Sequence, residues 1–147
     1  LNEKTCTSME YAKQLLQGKY PAAPKFSVMI SHVKDVAKAH VLSLKNKKAG
    51  GRRLIVGSEV RSILELSQIM AKNIPSHAKK LPKKELPNFM VKLISYIDSS
   101  AKTMVPDLGL KMQIDQRYAE DILQMKFTAS EIAVVDAAKS VIRLNLA

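Results

Sequence analysis

The sequence lacks most of the features that mark a self-contained enzyme or a secreted module. Its single cysteine, Cys6, excludes an internal disulfide and with it the small secreted proteins held together by disulfides. Its five glycines give neither GxGxxG nor a P-loop, the turns that let backbone approach a bound phosphate. No apolar run is long enough to span a bilayer, and the first residues do not form a signal peptide. We therefore expect a cytoplasmic protein with no membrane partner.

Patterns of catalytic and metal-binding residues are missing as well. The three histidines and Cys6 have no spacing typical of paired metal ligands, and neither GxSxG nor HExxH occurs. None of the four tyrosines is followed by a lysine four residues later. The sequence thus predicts no catalytic residue, no cofactor-binding residue and no metal ligand.

The net charge of +11 is the one unusual feature of the composition. A charge of this size is typical of proteins that bind nucleic acid or anionic membranes. The basic residues are mostly lysines, are scattered, and have no interleaved aromatic residues to stack on bases. A solvated surface, or the basic part of a longer chain, explains them better. We expect no specific nucleic-acid partner, and a small basic nucleic-acid-binding protein stays an alternative.

The first half of the 147 residues alternates strand-like and helix-like segments. A helix over residues 9–16 ends before Gly18, Asp35 occupies an N-cap position, and Ser62 with Glu65 has the spacing of a capping box. Alternating strands and helices predict an α/β fold with parallel strands. The predicted elements that follow the first helix are strand 26–33, helix 36–44, strand 53–57 and helix 63–72.

The second half is predicted to be helical. Breaks are expected at residues 98–100 and 106–109, and Thr128 with Glu131 has the spacing of a second capping box. The predicted helices are 89–97, 115–124 and 132–144. We expect one domain over residues 1–147, in which about 1–73 form the edge of a sheet with its helices and about 74–147 form a helical part.

Residues 32–40, His-Val-Lys-Asp-Val-Ala-Lys-Ala-His, resemble a strand-to-helix passage of the extended short-chain dehydrogenase/reductases. The most similar subgroup is the dihydroflavonol reductase-like one, within the NAD(P)-dependent epimerase/dehydratase superfamily. Further similar segments follow in the family's order: Gly-Arg-Arg-Leu-Ile-Val at 51–56, the helix 63–72, the proline-punctuated stretch 81–88 and the last two helices. One departure is Gln124-Met125, where the family usually has glycine followed by an aromatic residue.

The resemblance implies an α/β fold, the helix-rich C-terminal part of a Rossmann-type extended short-chain reductase with its last sheet strands and its small substrate domain. The family keeps its glycine-rich loop and its Tyr-x-x-x-Lys pair upstream of this region. The resemblance therefore implies the substrate-binding portion of an NAD(P)-dependent oxidoreductase, inactive alone, with NAD(P) bound in the parent enzyme and none bound by this chain. The parent would reduce a carbonyl, such as a dihydroflavonol-like ketone or an aldehyde, or epimerise a nucleotide sugar. His32 is placed near its small-molecule substrate, and Asp35 is interpreted as structural.

Two further expectations concern the chain by itself. A non-catalytic interaction or regulatory module is an alternative to an enzyme fragment. The strand segments are apolar and nearly unpatterned, as in strands covered on both faces. At the edge of an incomplete sheet they would expose unpaired backbone, so we expect the isolated chain to self-associate through that edge.

Overall fold

A computed structural model describes residues 7–97, 99–110 and 112–147. The helices and strands in these ranges confirm the predicted helix-rich α/β fold. None of the helices in the part of the chain that is described is long and apolar enough to cross a bilayer. The elements are α1 (Thr7–Leu16), β1 (Ala23–Pro24), β2 (Ser27–Ile30), α2 (Val33–Lys45), β3 (Glu59–Ser62), α3 (Ile63–Asn73), β4 (Glu85–Leu86), α4 (Asn88–Ile94), α5 (Ser99–Met104), α6 (Arg117–Leu123) and α7 (Ser130–Arg143).

The strands form two separate pairs. β1 pairs with β4 in parallel, and β2 pairs with β3 in an antiparallel ribbon in which Ser27 lies opposite Ser62 and Ile30 opposite Glu59. The predicted parallel pairing occurs between β1 and β4, whereas the strand predicted at 53–57 is wrong. The strand that follows α2 lies at 59–62, and a polar stretch, Glu-Val-Arg-Ser, forms it.

Residues 53–57 pair with no strand in the described part of the chain. Leu54 and Val56 pack against the small core cluster of Ala39, Leu123 and Met125, whereas Ile55 is exposed. This alternation is that of a β-strand with one covered face. The side chains of this segment alternate as the predicted strand requires, but a strand also needs a neighbour with which to exchange backbone hydrogen bonds.

The main core lies where α1, α3 and α7 meet. Its most deeply buried side chains include Leu15, Leu16, Ile63, Met70 and Val141. Helix α7 packs on both α1 and α3, so the first and the last helix contribute to one core. This core takes side chains from both sides of residue 73, and the division of the domain near that residue stays a prediction.

The helix ends agree only in part with the predicted signals. The capping box of Ser62 and Glu65 is confirmed, with the Ser62 N–H donating to Glu65 Oε2 at 2.7 Å and the Glu65 N–H donating to Ser62 Oγ at 3.2 Å. The second capping box is wrong, because α7 begins at Ser130 after Ala129, without a side-chain cap. The break predicted at 98–100 is also wrong for Ser99 and Ser100, which begin α5, while Asp98 lies outside the described residues.

Helix α6 ends at a residue with left-handed backbone. Gln124 has φ 49° and ψ 46°, and its side-chain amide donates to the Asp121 carbonyl at 2.6 Å. This is the position at which the sequence departs from the expected glycine. A side chain there crowds its own backbone, at a cost of about 1–2 kcal/mol.

We therefore expect Gln124→Gly to raise the free energy of unfolding by about 0.5–1 kcal/mol, because relief of this strain exceeds the extra chain entropy of glycine. Urea unfolding followed by circular dichroism measures the change. Gln124→Ala is the matched control, since alanine keeps the Cβ atom and gains nothing. Equal stability of the two variants would contradict the prediction.

Candidate substrate-side site

His32 lies at the junction of β2 and α2, with 7% of its surface exposed. Its Nδ1 accepts a hydrogen bond from the Lys34 N–H at 3.1 Å and so caps α2. Its Nε2 lies 3.3 Å from Asp136 Oδ2 on α7. Because Nδ1 is an acceptor, the proton of the neutral ring lies on Nε2 and points at the carboxylate. Both ring nitrogens thus have partners within the chain, and a substrate-binding role for His32 stays a prediction.

Asp35 lies in the first turn of α2, and the N-cap that was predicted at Asp35 is His32 instead. The Asp35 carboxylate accepts from the Thr128 N–H at 2.6 Å and from the Thr128 hydroxyl at 3.1 Å. These two bonds hold the segment that leads into α7 against the start of α2. The geometry is that of a tether between elements, and the structural role assigned to Asp35 stays a prediction.

Arg61, on β3, is the centre of a charged cluster that the sequence did not single out. Its guanidinium donates from Nε to Glu59 at 3.1 Å and to the Ser130 hydroxyl at 3.0 Å, and from Nη1 to Glu65 at 3.2 Å. The Ser130 hydroxyl in turn donates to Glu59. The cluster joins β3, the start of α3 and the start of α7. With two carboxylates on one guanidinium, it has no positive charge left over for an anionic substrate.

The hydrogen bonds of the cluster shift the pKa of each charged member. The hydrogen bond from Ser130, followed by that from Arg61, holds the pKa of Glu59 below its ordinary 4.5. The backbone N–H of Ser62 is the largest cause of the lowered pKa of Glu65, and the Ser62 hydroxyl and Arg61 add to it. Hydrogen bonds to Glu59 and Glu65 raise the pKa of Arg61. All three groups are therefore charged at neutral pH.

This cluster predicts a loss of stability in acid. Because the pKa values of Glu59 and Glu65 are lower in the folded chain than in the unfolded chain, their contribution is complete above pH 4.5 and is lost as the pH falls below it. Both side chains are partly open to water, so we expect a modest effect. Thermal unfolding of the wild type and of Glu59→Gln/Glu65→Gln, between about pH 6 and about pH 3, measures it. Parallel pH profiles of the two proteins would contradict the prediction.

A shallow depression of about 520 Å³ lies beside the cluster. Its volume is in the range of small-molecule sites, and its wall combines apolar and charged side chains. The residues that line it are Glu59, Val60, Arg61, Met112, Gln113 and Ile114. It is the best candidate for a substrate-facing surface on β3.

The described residues contain no cluster of three or more potential metal ligands. A dinucleotide would need a helix N-terminus with free N–H groups after a glycine-rich turn. At α2 the His32 ring accepts from the Lys34 N–H, and at α3 the Ser62 hydroxyl accepts from the Glu65 N–H. The expectation that this chain alone binds no cofactor stays a prediction.

The sequence could have indicated the Arg61 cluster. Glu59 and Arg61 are two residues apart on a strand and so share a face, and Glu65 was already recognised as a capping residue. What it could not indicate is Ser130, which lies 69 residues from Arg61 and meets it only through the docking of α7.

Comparison with solved structures shows what this arrangement is similar to. The crystal structure of Gre2 from Candida albicans matches 99% of this chain with a TM-score of 0.71 and 22% identity. The same protein in complex with NADPH matches 98% with a TM-score of 0.69 and 19% identity. Yeast methylglyoxal/isovaleraldehyde reductase Gre2, complexed with NADPH, matches 92% with a TM-score of 0.65 and 20% identity. The chain has the fold of part of these reductases.

The fold implied by the resemblance is thereby confirmed. The chain spans 38–40% of the length of these three proteins. No protein-family model matches it, and no curated protein matches it by sequence.

Proposed function

We propose that this chain is the substrate-side part of an NADPH-dependent carbonyl reductase whose cofactor-binding and catalytic residues lie elsewhere in a longer polypeptide. The observation that carries the proposal is that nearly the whole chain matches only two fifths of the Gre2 reductases, two of which are described with NADPH bound. The sequence has neither GxGxxG nor a P-loop, and we therefore assign the cofactor to the remainder of the parent.

The unpaired segment 53–57 supports the same proposal. Leu54 and Val56 pack inward and Ile55 is exposed, as in a strand, yet this segment forms no ladder with any of the described strands. The remainder of a Rossmann sheet would supply the missing neighbour. In the isolated chain this edge is open, and we propose that it mediates self-association. Sedimentation showing a clean monomer at high concentration would contradict that second statement.

The proposed reaction indicates which part of the parent enzyme supplies each component. Reduction of a carbonyl needs a hydride, which the nicotinamide of NADPH supplies, and a proton, which the resemblance assigns to the tyrosine of an upstream Tyr-x-x-x-Lys pair. This chain would contribute the wall that binds and orients the carbonyl compound. The depression beside Arg61 and the buried His32 are the candidate places for it, and an aldehyde or small ketone is the proposed substrate class.

The intact product of the gene tests the proposal. We expect the coding sequence upstream of Leu1 to encode a glycine-rich loop and Tyr-x-x-x-Lys. We also expect the intact protein to oxidise NADPH in the presence of methylglyoxal or isovaleraldehyde, measured by absorbance. Replacing the upstream tyrosine with phenylalanine should abolish the reaction, and the 147-residue chain alone is the matched inactive control. An upstream region without either motif would refute the proposal.

A further inference from the structure

Helix α4 presents its apolar side chains to solvent. Phe89 and Leu93 are 70% and 67% exposed, and in the turn that follows, Tyr96 and Ile97 are 88% and 93% exposed. Phe89 and Leu93, four residues apart, lie on the same side of α4, and Tyr96 and Ile97 extend the exposed apolar surface into the turn. A surface helix normally turns such a stripe toward the core, yet the buried residue of α4 is Val91, on the other side. These four exposed residues are called the α4 stripe below.

A cluster of lysines precedes the α4 stripe in the chain and adjoins it in space. Lys79, Lys80, Lys83 and Lys84 line a cleft of about 610 Å³, and this cleft also includes Pro87, the residue that caps α4. Residues 79–97 contain five lysines and one acidic residue, a glutamate. That glutamate is already paired with a lysine of the segment after β1, at 3.5 Å. The cleft is therefore strongly cationic.

The α4 stripe and the lysine cleft together indicate the chemistry of the partner. An exposed apolar stripe is stabilised by contact with an apolar phase, and a neighbouring lysine cluster attracts anionic groups. An anionic lipid surface supplies both, with acyl chains for Phe89, Leu93 and Ile97 and headgroup phosphates for the lysines. The hydroxyl and ring of Tyr96 suit the boundary between them. We propose that the α4 stripe and the lysine cleft form a site that lies on an anionic membrane surface.

This inference goes beyond the proposed function, and it requires that the remainder of the proposed parent leave the α4 stripe uncovered. It differs from the expectation, drawn from the sequence, that the chain has no membrane partner. That expectation rested on the lack of a spanning segment, and a helix that lies on a membrane needs none.

Co-sedimentation of the 147-residue chain with lipid vesicles tests the proposal. One set of vesicles is phosphatidylcholine alone, and the other contains about a third phosphatidylserine. We expect at least roughly tenfold stronger binding to the anionic vesicles, weakened by added salt because the lysines contribute. Phe89→Ser/Leu93→Ser should reduce that binding by roughly tenfold or more, since both side chains lose their apolar contact. Lys83→Glu/Lys84→Glu should remove the preference for anionic lipid.

Ile132→Ser is the matched control, because this α7 side chain is 53% exposed, follows Glu131 in the chain and does not line the lysine cleft. Its binding should equal that of the wild type, and circular dichroism should show all variants folded. Equal binding to both kinds of vesicle, or no effect of Phe89→Ser/Leu93→Ser, would overturn the proposal. So would a loss of self-association in that variant without a loss of vesicle binding, which would identify a second copy as the partner. If this chain binds the vesicles but the intact protein does not, the rest of the polypeptide covers the α4 stripe, and the proposal is overturned.

Discussion

Leu16→Ala is expected to lower the free energy of unfolding by about 3 kcal/mol. Leu16 has no exposed surface and lies in the core that α1, α3 and α7 share, together with Val134, Ala138 and Val141. Removing its branched end leaves a cavity that two packed helices cannot fill by small shifts, because interiors are close-packed. Urea unfolding followed by circular dichroism should show the midpoint lower by roughly 1–2 M.

Leu44→Ala gives the matched control for this prediction. The substitution is the same and is also in a helix, but Leu44 is 89% exposed. Its effect should stay within about 0.5 kcal/mol. If the two variants unfold at the same urea concentration, the α1–α7 core does not hold the chain together as described.

His32→Ala is expected to cost about 2–3 kcal/mol, the second large effect. The substitution removes the cap of α2, leaves the Lys34 N–H without its acceptor, and ends the contact with Asp136 on α7. His32→Asn should recover about half of the loss, because an asparagine side chain can again accept at the N-cap. Thermal or urea unfolding of the three proteins measures these steps.

His40→Ala is the matched control for this series, since His40 is an exposed histidine on the same helix. We expect it to change stability by less than about 0.5 kcal/mol. A loss as large as that of His32→Ala would contradict the capping role. In the proposed parent enzyme, a raised KM in His32→Asn, measured at a temperature where the variant stays folded, would support the predicted substrate contact, and an unchanged KM would refute it.

Much of the fold followed from local signals in the sequence. The helices at α1, α3 and α7 were predictable because apolar residues recur at helical spacing, and the start of α3 because Ser62 and Glu65 lie three residues apart. The motif around Asp35 placed α2. These are interactions between residues close in the chain, and the sequence displays them directly.

The rest depended on contacts between distant residues. Thr128 has the spacing of a capping residue, but its hydroxyl donates to Asp35, 93 residues away, and so does not cap α7. The segment 53–57 has the composition of a strand, yet it pairs with none of the described strands. The α4 stripe shows a third limit, because periodicity reveals an apolar face but not whether that face points inward or outward.

The packing of α7 on α1 has a consequence for how the chain is made. The side-chain amide of Gln17, just after α1, donates to the Leu146 carbonyl at 2.8 Å, so contacts of this region join residues 129 positions apart. On a ribosome, Leu15 and Leu16 would stay uncovered until α7 has emerged. The core around α1 is therefore completed only when residues 130–143 have been synthesised, long after α1 itself.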